Sequence, residues 1–198
     1  GGIYATCFSP DGGKLVSCGM DRTIRLWNVQ SGKELFKLDE AHDVLASDVK
    51  YSPDGKYIAS AGWDKKVKIW DASNGSLVHV LEGHTNMITT IDYSSDGLYI
   101  ASGAGNNSVS AYDNSVIVWN TTTGKQHCKY EGHRGMVQKV IFDNVESMMN
   151  EIKLFSNNGN KYNDFGKWDD HLADFDSFQD HISYLRIGFY LQLILKLI

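Results

Sequence analysis

Short hydrophobic runs, separated by clusters of Gly, Asn, Asp, Pro and Ser, dominate the first two thirds of the chain. The stretch from Ala41 to Leu81 shows the pattern most clearly, with four such runs rich in Val, Ile, Tyr and Trp. Runs of this kind bounded by turn residues are typical of antiparallel β-strands joined by tight turns. The pattern therefore predicts a four-stranded antiparallel sheet for this stretch.

The same unit recurs on both sides of that stretch. The turn aspartates of successive units lie 43 and 42 residues apart, and the tryptophans of their third runs lie 43 and 49 residues apart. The longer step comes from seven extra residues within 103–112, a Gly-, Asn- and Ser-rich segment that indicates a solvated loop. These landmarks are Asp11, Asp54, Asp96, Trp27, Trp70 and Trp119. A recurring unit of this size predicts a repeat architecture.

The order of motifs within each unit resembles the WD40 repeat family. That order is Gly-His (Ala-His in the second unit), Ser-Pro-Asp-Gly or its variant, a strand serine, a turn aspartate and Trp-Asp or Trp-Asn. The resemblance implies an all-β fold, a partial β-propeller with three clear four-stranded blades and a degenerate fourth. The WD40 repeats are expected over 1–142, with blades at about 1–40, 41–82 and 83–131 and the start of a fourth at 132–142.

Residues 143–198 depart from the repeat and are expected to form a divergent C-terminal extension. Apolar residues from Leu172 to Phe189 recur every three to four positions, which favours an amphipathic helix. The segment from Ile187 to Ile198 is almost wholly apolar and also fits a strand, and it is too short to span a bilayer. We expect either a tail that packs on the core or an artefactual translated tail, and no membrane partner.

Composition and charge narrow the class of protein. Hydrophobic residues make up 42% and charged residues 22% of the chain, as in ordinary soluble domains. The net charge is −5 without a basic stripe, so nucleic-acid binding is not expected. Three cysteines without CxxC or zinc-ligand spacing indicate reduced thiols in an intracellular protein, cytoplasmic or nuclear. Because the chain opens on Gly1-Gly2 without Met or a signal peptide, we expect a fragment of a longer protein.

In proteins of the WD40 family, a His, a Ser, an Asp and a Trp of the same unit form one buried, hydrogen-bonded set. The resemblance implies such structural tetrads in the second and third units, whereas the first unit lacks the histidine. A hydrolase triad is the alternative, but the set recurs and its serine lies mid-strand rather than on a nucleophile turn. The tetrad residues are His42, Ser60, Asp64 and Trp70, and His84, Ser102, Asp113 and Trp119.

No sequence feature indicates an enzyme, a cofactor or a metal site. A Gly-rich phosphate loop, a cysteine nucleophile and a paired set of catalytic carboxylates are all missing from the sequence pattern. Aspartates and two histidines between 169 and 181 could supply metal ligands. Their spacing matches no recognised ligand set, so a solvated polar face is the simpler interpretation.

Surface residues are the remaining candidates for function. The resemblance places the residue before each turn aspartate, and those after each Gly-His pair, on the top face near the channel. Exposed aromatic and methionine side chains are typical of protein-binding hot spots. We therefore expect a non-catalytic scaffold that binds protein or peptide partners on its top face. The candidate residues are Met20, Trp63, Tyr112, Asn86, Met87 and Met136.

Three alternatives to this hypothesis stay open. Trp63 could simply cover its own turn. The protein could be a substrate receptor of a ubiquitin ligase, although the Trp-Asp-x-Arg motif of cullin-type receptors is absent, with Gln30, Ser73 and Thr122 at its last position. It could also be the accessory propeller of a larger enzyme.

Overall fold

The computed structural model describes residues 1–106 and 113–142, together with the backbone of a strand at 184–187. Three four-stranded antiparallel sheets account for most of the described residues. The first sheet contains β1 (Ile3–Phe8), β2 (Lys14–Gly19), β3 (Ile24–Asn28) and β4 (Glu34–Leu38). The second contains β5 (Ala46–Tyr51), β6 (Tyr57–Gly62), β7 (Lys66–Asp71) and β8 (Leu77–Glu82). The third contains β9 (Ile88–Tyr93), β10 (Tyr99–Ala104), β11 (Val116–Asn120) and β12 (Lys125–Tyr130).

This arrangement confirms the predicted all-β fold, and turn chemistry explains why the strands end where they do. In the second sheet the Ser52 hydroxyl donates to Asp54 Oδ1 at 2.7 Å, and the Gly55 N–H donates to the Ser52 carbonyl at 2.9 Å. Gly55 has φ of 72°, a left-handed conformation that glycine adopts without steric cost. The turn therefore reverses the chain between β5 and β6, and its counterparts do the same in the other sheets.

The sheets are arranged as a fan, with their first strands side by side. β1, β5, β9 and a further strand, β13 (Lys139–Phe142), contact one another in succession. Side chains tie neighbouring first strands together: Asp48 Oδ2 accepts a hydrogen bond from the Ile91 N–H at 2.9 Å, and Asp92 Oδ2 accepts one from the Phe142 N–H at 2.9 Å. β13 is thus held against β9 by the same kind of bond that holds β9 against β5.

The hydrophobic core lies between the sheets. One buried cluster joins the first two sheets, with Leu26 and Trp70 among its members. A second cluster joins the second and third sheets, and a third packs Val140 of β13 against the third sheet. Each sheet is therefore stabilised mainly by burial against its neighbours.

The C-terminal extension is described at only four positions. Tyr184–Ile187 form β14, which pairs in parallel with β13, whereas all pairs within the three sheets are antiparallel. These four residues are therefore a strand, although the apolar spacing favoured a helix across them. The rest of the extension, including the acidic and histidine residues between 169 and 181, lies outside the described residues. The blade and extension boundaries given above stay predictions.

Candidate functional site

Four buried polar side chains of the second sheet form one connected cluster. His42 Nδ1 lies 2.9 Å from both carboxylate oxygens of Asp64, and its Nε2 lies 2.8 Å from the Ser60 hydroxyl. The Trp70 indole N–H donates to the same hydroxyl at 2.9 Å. Antiparallel pairing of β6 with β7 brings Ser60 and Trp70 together, and the loop before β5 places His42 over them.

The third sheet repeats this cluster despite its longer loop. His84 Nδ1 lies 3.1 Å from Asp113 Oδ2, and its Nε2 lies 2.8 Å from the Ser102 hydroxyl, which also accepts from the Trp119 indole at 2.8 Å. The Thr85 N–H adds a further bond to Asp113 Oδ2 at 2.7 Å. The structure therefore brings together all four residues of both sets that the sequence singled out.

The first sheet holds only part of the cluster. The Trp27 indole donates to the Ser17 hydroxyl at 2.9 Å, as in the other sheets. Asp21 instead bonds the Thr23 hydroxyl at 2.8 Å and forms an ion pair with Arg25 at 3.2 Å. The Ser–Trp bond is thus common to all three sheets, whereas the His–Asp bond is found in two.

The protonation states follow from burial and hydrogen bonding. Burial opposes the charge on Asp113, but hydrogen bonds from Ser115 and the Thr85 N–H, together with the electrostatic effect of His84, outweigh it and lower the pKa of Asp113 to about 2. Burial lowers the pKa of His84, so this ring is neutral near pH 7. Because an ionised carboxylate can only accept hydrogen bonds, the ring N–H of His84 must be on Nδ1, from which it donates to Asp113. Hydrogen bonds from His42 similarly hold the pKa of Asp64 below its ordinary value against the effect of burial.

The clusters are closed to solvent. The side chains of His42 and Ser60 are fully buried, as is that of Ser102. A nucleophilic serine needs an exposed oxygen beside a substrate-sized space. The geometry therefore fits a role in holding the strands of each sheet together, with every polar group of the cluster satisfied.

A pair of aromatic side chains lies at the end of the first two sheets where their second and third strands meet, which we call the top face. Tyr4 and Trp63 have ring centroids 6.4 Å apart and planes inclined by 58°. Tyr4 is 48% exposed and Trp63 36% exposed. Such tilted contact is a favourable geometry for aromatic rings, so each ring helps to fix the other at the surface.

Two further exposed apolar side chains lie at the same end of these two sheets. Met20 follows β2, and Val44 precedes Leu45, whose carbonyl accepts the Trp63 N–H at 3.0 Å. We call the four residues Tyr4, Met20, Val44 and Trp63 the top-face patch. Charged residues border it along the chain, including an exposed ion pair of Arg22 with Glu40 at 3.3 Å. An apolar centre with a charged rim is the usual anatomy of a protein-binding surface.

The other predicted surface residues have different surroundings. Asn86 is buried: its amide donates to the Asp113 carbonyl at 3.3 Å, and its Oδ1 accepts from the Met87 N–H at 2.9 Å. Met87 and Met136 are half-buried beside Gly105 at the top of the third sheet. Tyr112 lies outside the described residues. Of the six candidates, the structure places Met20 and Trp63 in the top-face patch.

Tyr4 was missed by the sequence analysis, although a signal for it exists. The pairing register shifts at Tyr4, at Ser47 and at Thr89, which occupy the same position in the three sheets. Ser47 and Thr89 use their hydroxyls to donate hydrogen bonds to the next blade, to the carbonyls of Ile88 in β9 and of Val137 just before β13. An exposed tyrosine in place of two small hydroxyl residues, at a bulge that redirects its side chain, marks a local specialisation.

Metal-ligand groups and membrane-spanning helices are both absent from the described part of the chain. No group of three or more His, Cys, Asp or Glu side chains there is placed to hold a metal ion. Residues 1–106 and 113–142 also include no helix long and apolar enough to cross a membrane.

Comparison with known proteins identifies the family. The sequence model of the WD40 family, described as "WD domain, G-beta repeat", matches residues 1–28, 32–71 and 75–120, more than half of the chain. The chain belongs to the WD40 repeat family, and its three sheets are WD40 blades. Domains of this family are typically non-catalytic scaffolds for protein interactions. Comparison with curated proteins found no match.

Proposed function

We propose that this chain is a non-catalytic scaffold that binds a protein or peptide partner through the top-face patch. The exposed Tyr4–Trp63 pair is the observation that supports it most directly. Rigid aromatic side chains contribute a large apolar area at low entropic cost, which is why they dominate binding hot spots. The buried clusters support the same proposal, because their polar groups are engaged in holding the blades.

Affinity capture with surface variants tests this proposal. The full chain, Trp63→Ala and Tyr4→Ala serve as baits, and quantitative mass spectrometry compares the proteins recovered. Tyr130→Ala is the matched control, since Tyr130 is also 48% exposed but lies on β12, the outer strand of the third blade. We expect a protein that the wild type and the control retain and that both top-face variants lose. Identical recovery by all four baits would rule out the patch as the binding surface.

We also propose that the protein acts inside the cell, in the cytoplasm or nucleus. Cys7, Cys18 and Cys128 are all free thiols, and burial raises the pKa of Cys18 to about 12. Unpaired cysteines are typical of reducing compartments. Imaging of the tagged full-length protein tests this, and a purely extracellular signal would contradict it.

A further inference from the structure

A cavity of about 430 Å³ opens between the second and third blades, at the end opposite the top-face patch. Its walls include Asp54 and Tyr57 from the second blade and Tyr93, Asp96 and Leu98 from the third. Tyr57 begins β6, and Trp63 follows the end of the same strand. Six residues at about 3.3 Å each separate the two surfaces by roughly 20 Å. The cavity is therefore a separate place from the top-face patch, and its size suits a small ligand or a single side chain.

The charges that line the cavity are negative. Asp54 and Asp96 both contribute to its wall, and none of its lining residues is Lys or Arg. Lys56, a largely exposed residue, pairs with Asp54 at 3.3 Å. Asp96 Oδ1 accepts hydrogen bonds from the Ser94 hydroxyl at 2.6 Å and the Leu98 N–H at 2.9 Å, and no cation within the described ranges forms an ion pair with it. Two carboxylates around a partly enclosed space favour a bound cation.

Tyr93 adds a polar atom to the same wall. The side chain is only 8% exposed, and its hydroxyl is buried with no hydrogen-bond partner in the described part of the protein. Burial, with the nearby Asp54 and Tyr57 groups, raises the pKa of this hydroxyl, so it stays protonated and neutral near pH 7. Buried hydroxyls normally have a partner, so this oxygen is suited to accept a hydrogen bond from a ligand.

The lining aromatic rings complete the chemistry. Tyr57 and Tyr93 both line the cavity, together with the two aspartates. A guanidinium is planar, always charged, stacks on aromatic faces and donates several hydrogen bonds at once. A guanidinium therefore matches the carboxylate, hydroxyl and aromatic groups of the lining residues.

We propose that this cavity binds the arginine side chain of a peptide or protein partner. Asp96 and Asp54 accept from the guanidinium, the Tyr93 hydroxyl accepts a further N–H, and the Tyr57 ring packs against its face. The site stands independently of the top-face patch, so the failure of one leaves the other intact. A partner that contacts both would span the blade from one end of β6 to the other.

Titration of the full chain with a minimal probe tests the site. The probe is N-acetyl-arginine amide, and N-acetyl-citrulline amide is its neutral counterpart of nearly equal shape. Amide chemical shifts of Gly97 and Leu98, which line the cavity, report binding in a ¹⁵N-labelled sample. We expect saturable shifts with the arginine probe that weaken at high ionic strength, and none with the citrulline probe. Equal shifts with both probes, or no shifts with either, would overturn the proposal.

Three variants sharpen the result. Asp96→Asn keeps an oxygen for the turn hydrogen bonds but removes the charge, and we expect it to weaken binding about fivefold. Tyr93→Phe is expected to weaken it by a similar factor, because it removes the hydroxyl and keeps the ring. Asp11→Asn makes the same change in the turn of the first blade and should leave affinity unchanged. Unaltered affinity in Asp96→Asn, or equal loss in Asp11→Asn, would contradict the assignment.

Discussion

The Trp70 indole donates a hydrogen bond to the Ser60 hydroxyl at 2.9 Å, across neighbouring strands of the second blade. The same hydroxyl lies 2.8 Å from His42 Nε2, so one serine connects a strand, its neighbour and the loop above them. Equivalent bonds join Trp119 to Ser102. The blades are thus held by polar contacts inside each sheet as well as by apolar contacts between sheets.

Removal of the Ser60 hydroxyl should destabilise the protein strongly. Ser60→Ala leaves the buried groups of His42 and Trp70 without their shared partner, and we expect a loss of about 2–4 kcal/mol in the free energy of unfolding. Urea unfolding followed by tryptophan fluorescence measures the change. Ser73→Ala is the control, because the Ser73 hydroxyl bonds only within an exposed turn. Similar stability of Ser60→Ala and the control would show that the cluster contributes little.

Gly62 is expected to tolerate no side chain. A Cβ at this position would lie 2.4 Å from His42 Nδ1 and 2.6 Å from Asp64 Oδ1, so the His–Asp contact would have to open. We expect Gly62→Ala to cost about 2 kcal/mol or more, as overpacking combined with a broken buried bond does. Gly135→Ala, where an added Cβ meets nothing within 4 Å, is the control. Equal melting temperatures of the two variants would refute this reason for the glycine.

Stability should fall in two steps as the solution is acidified. The pKa of His84 is lowered from 6.5 by burial, so below pH 6.5 the unfolded chain binds a proton that the folded chain does not, and stability begins to decline. The pKa of Asp113 is lowered from 3.8 to about 2, so its contribution, about 2 kcal/mol, is present above pH 3.8 and lost towards pH 2. Unfolding free energies measured across this range, with Asp113→Asn as comparison, test both steps. A stability that rises on acidification would contradict the assigned protonation states.

The first blade exposes a face that the other blades bury. Phe8 is 60% exposed, whereas Tyr51, its equivalent in the second blade, is 7% exposed because it packs against the first blade. Trp27 lies on the same open face, half-buried, whereas its equivalent Trp70 is buried. Apolar sheet faces and unpaired strand edges promote association.

We therefore expect the 198-residue chain to self-associate in solution, and Phe8→Lys to reduce this. Sedimentation velocity over a range of concentrations measures the effect. Leu98→Lys is a control of comparable exposure in the turn between β9 and β10 of the third blade. A monodisperse, cooperatively melting monomer for the unmodified chain would contradict this prediction.

Much of the fold is predictable because each repeat carries its own local signals. Turn residues fix the strand ends, as the Ser52–Gly55 turn does between β5 and β6. The seven-residue insertion after β10 is likewise evident from spacing alone. The hydrogen bond between His84 and Asp113 in the third blade forms in spite of it. Local chemistry is sufficient for these features.

Features that depend on contacts between blades are not predictable in this way. The Tyr4–Trp63 pair needs a bulge in one blade to meet a turn in the next, and spacing within a repeat does not reveal that contact. The burial of Asn86 and the cavity beside Tyr93 also depend on how neighbouring elements meet. The parallel pairing of β13 with Tyr184–Ile187 joins segments far apart in the chain, and long-range pairing leaves little local signal.

The polar clusters that hold the blades are closed to solvent, whereas the aromatic side chains of the top-face patch are exposed. Hydrogen exchange of the tryptophan indole N–H groups, resolved by NMR, tests this contrast most directly. The account predicts slow exchange at Trp70 and Trp119, whose indoles are bonded to buried hydroxyls, and fast exchange at Trp63 on the surface. Fast exchange at Trp70 and Trp119, or protection of Trp63 equal to theirs, would contradict it.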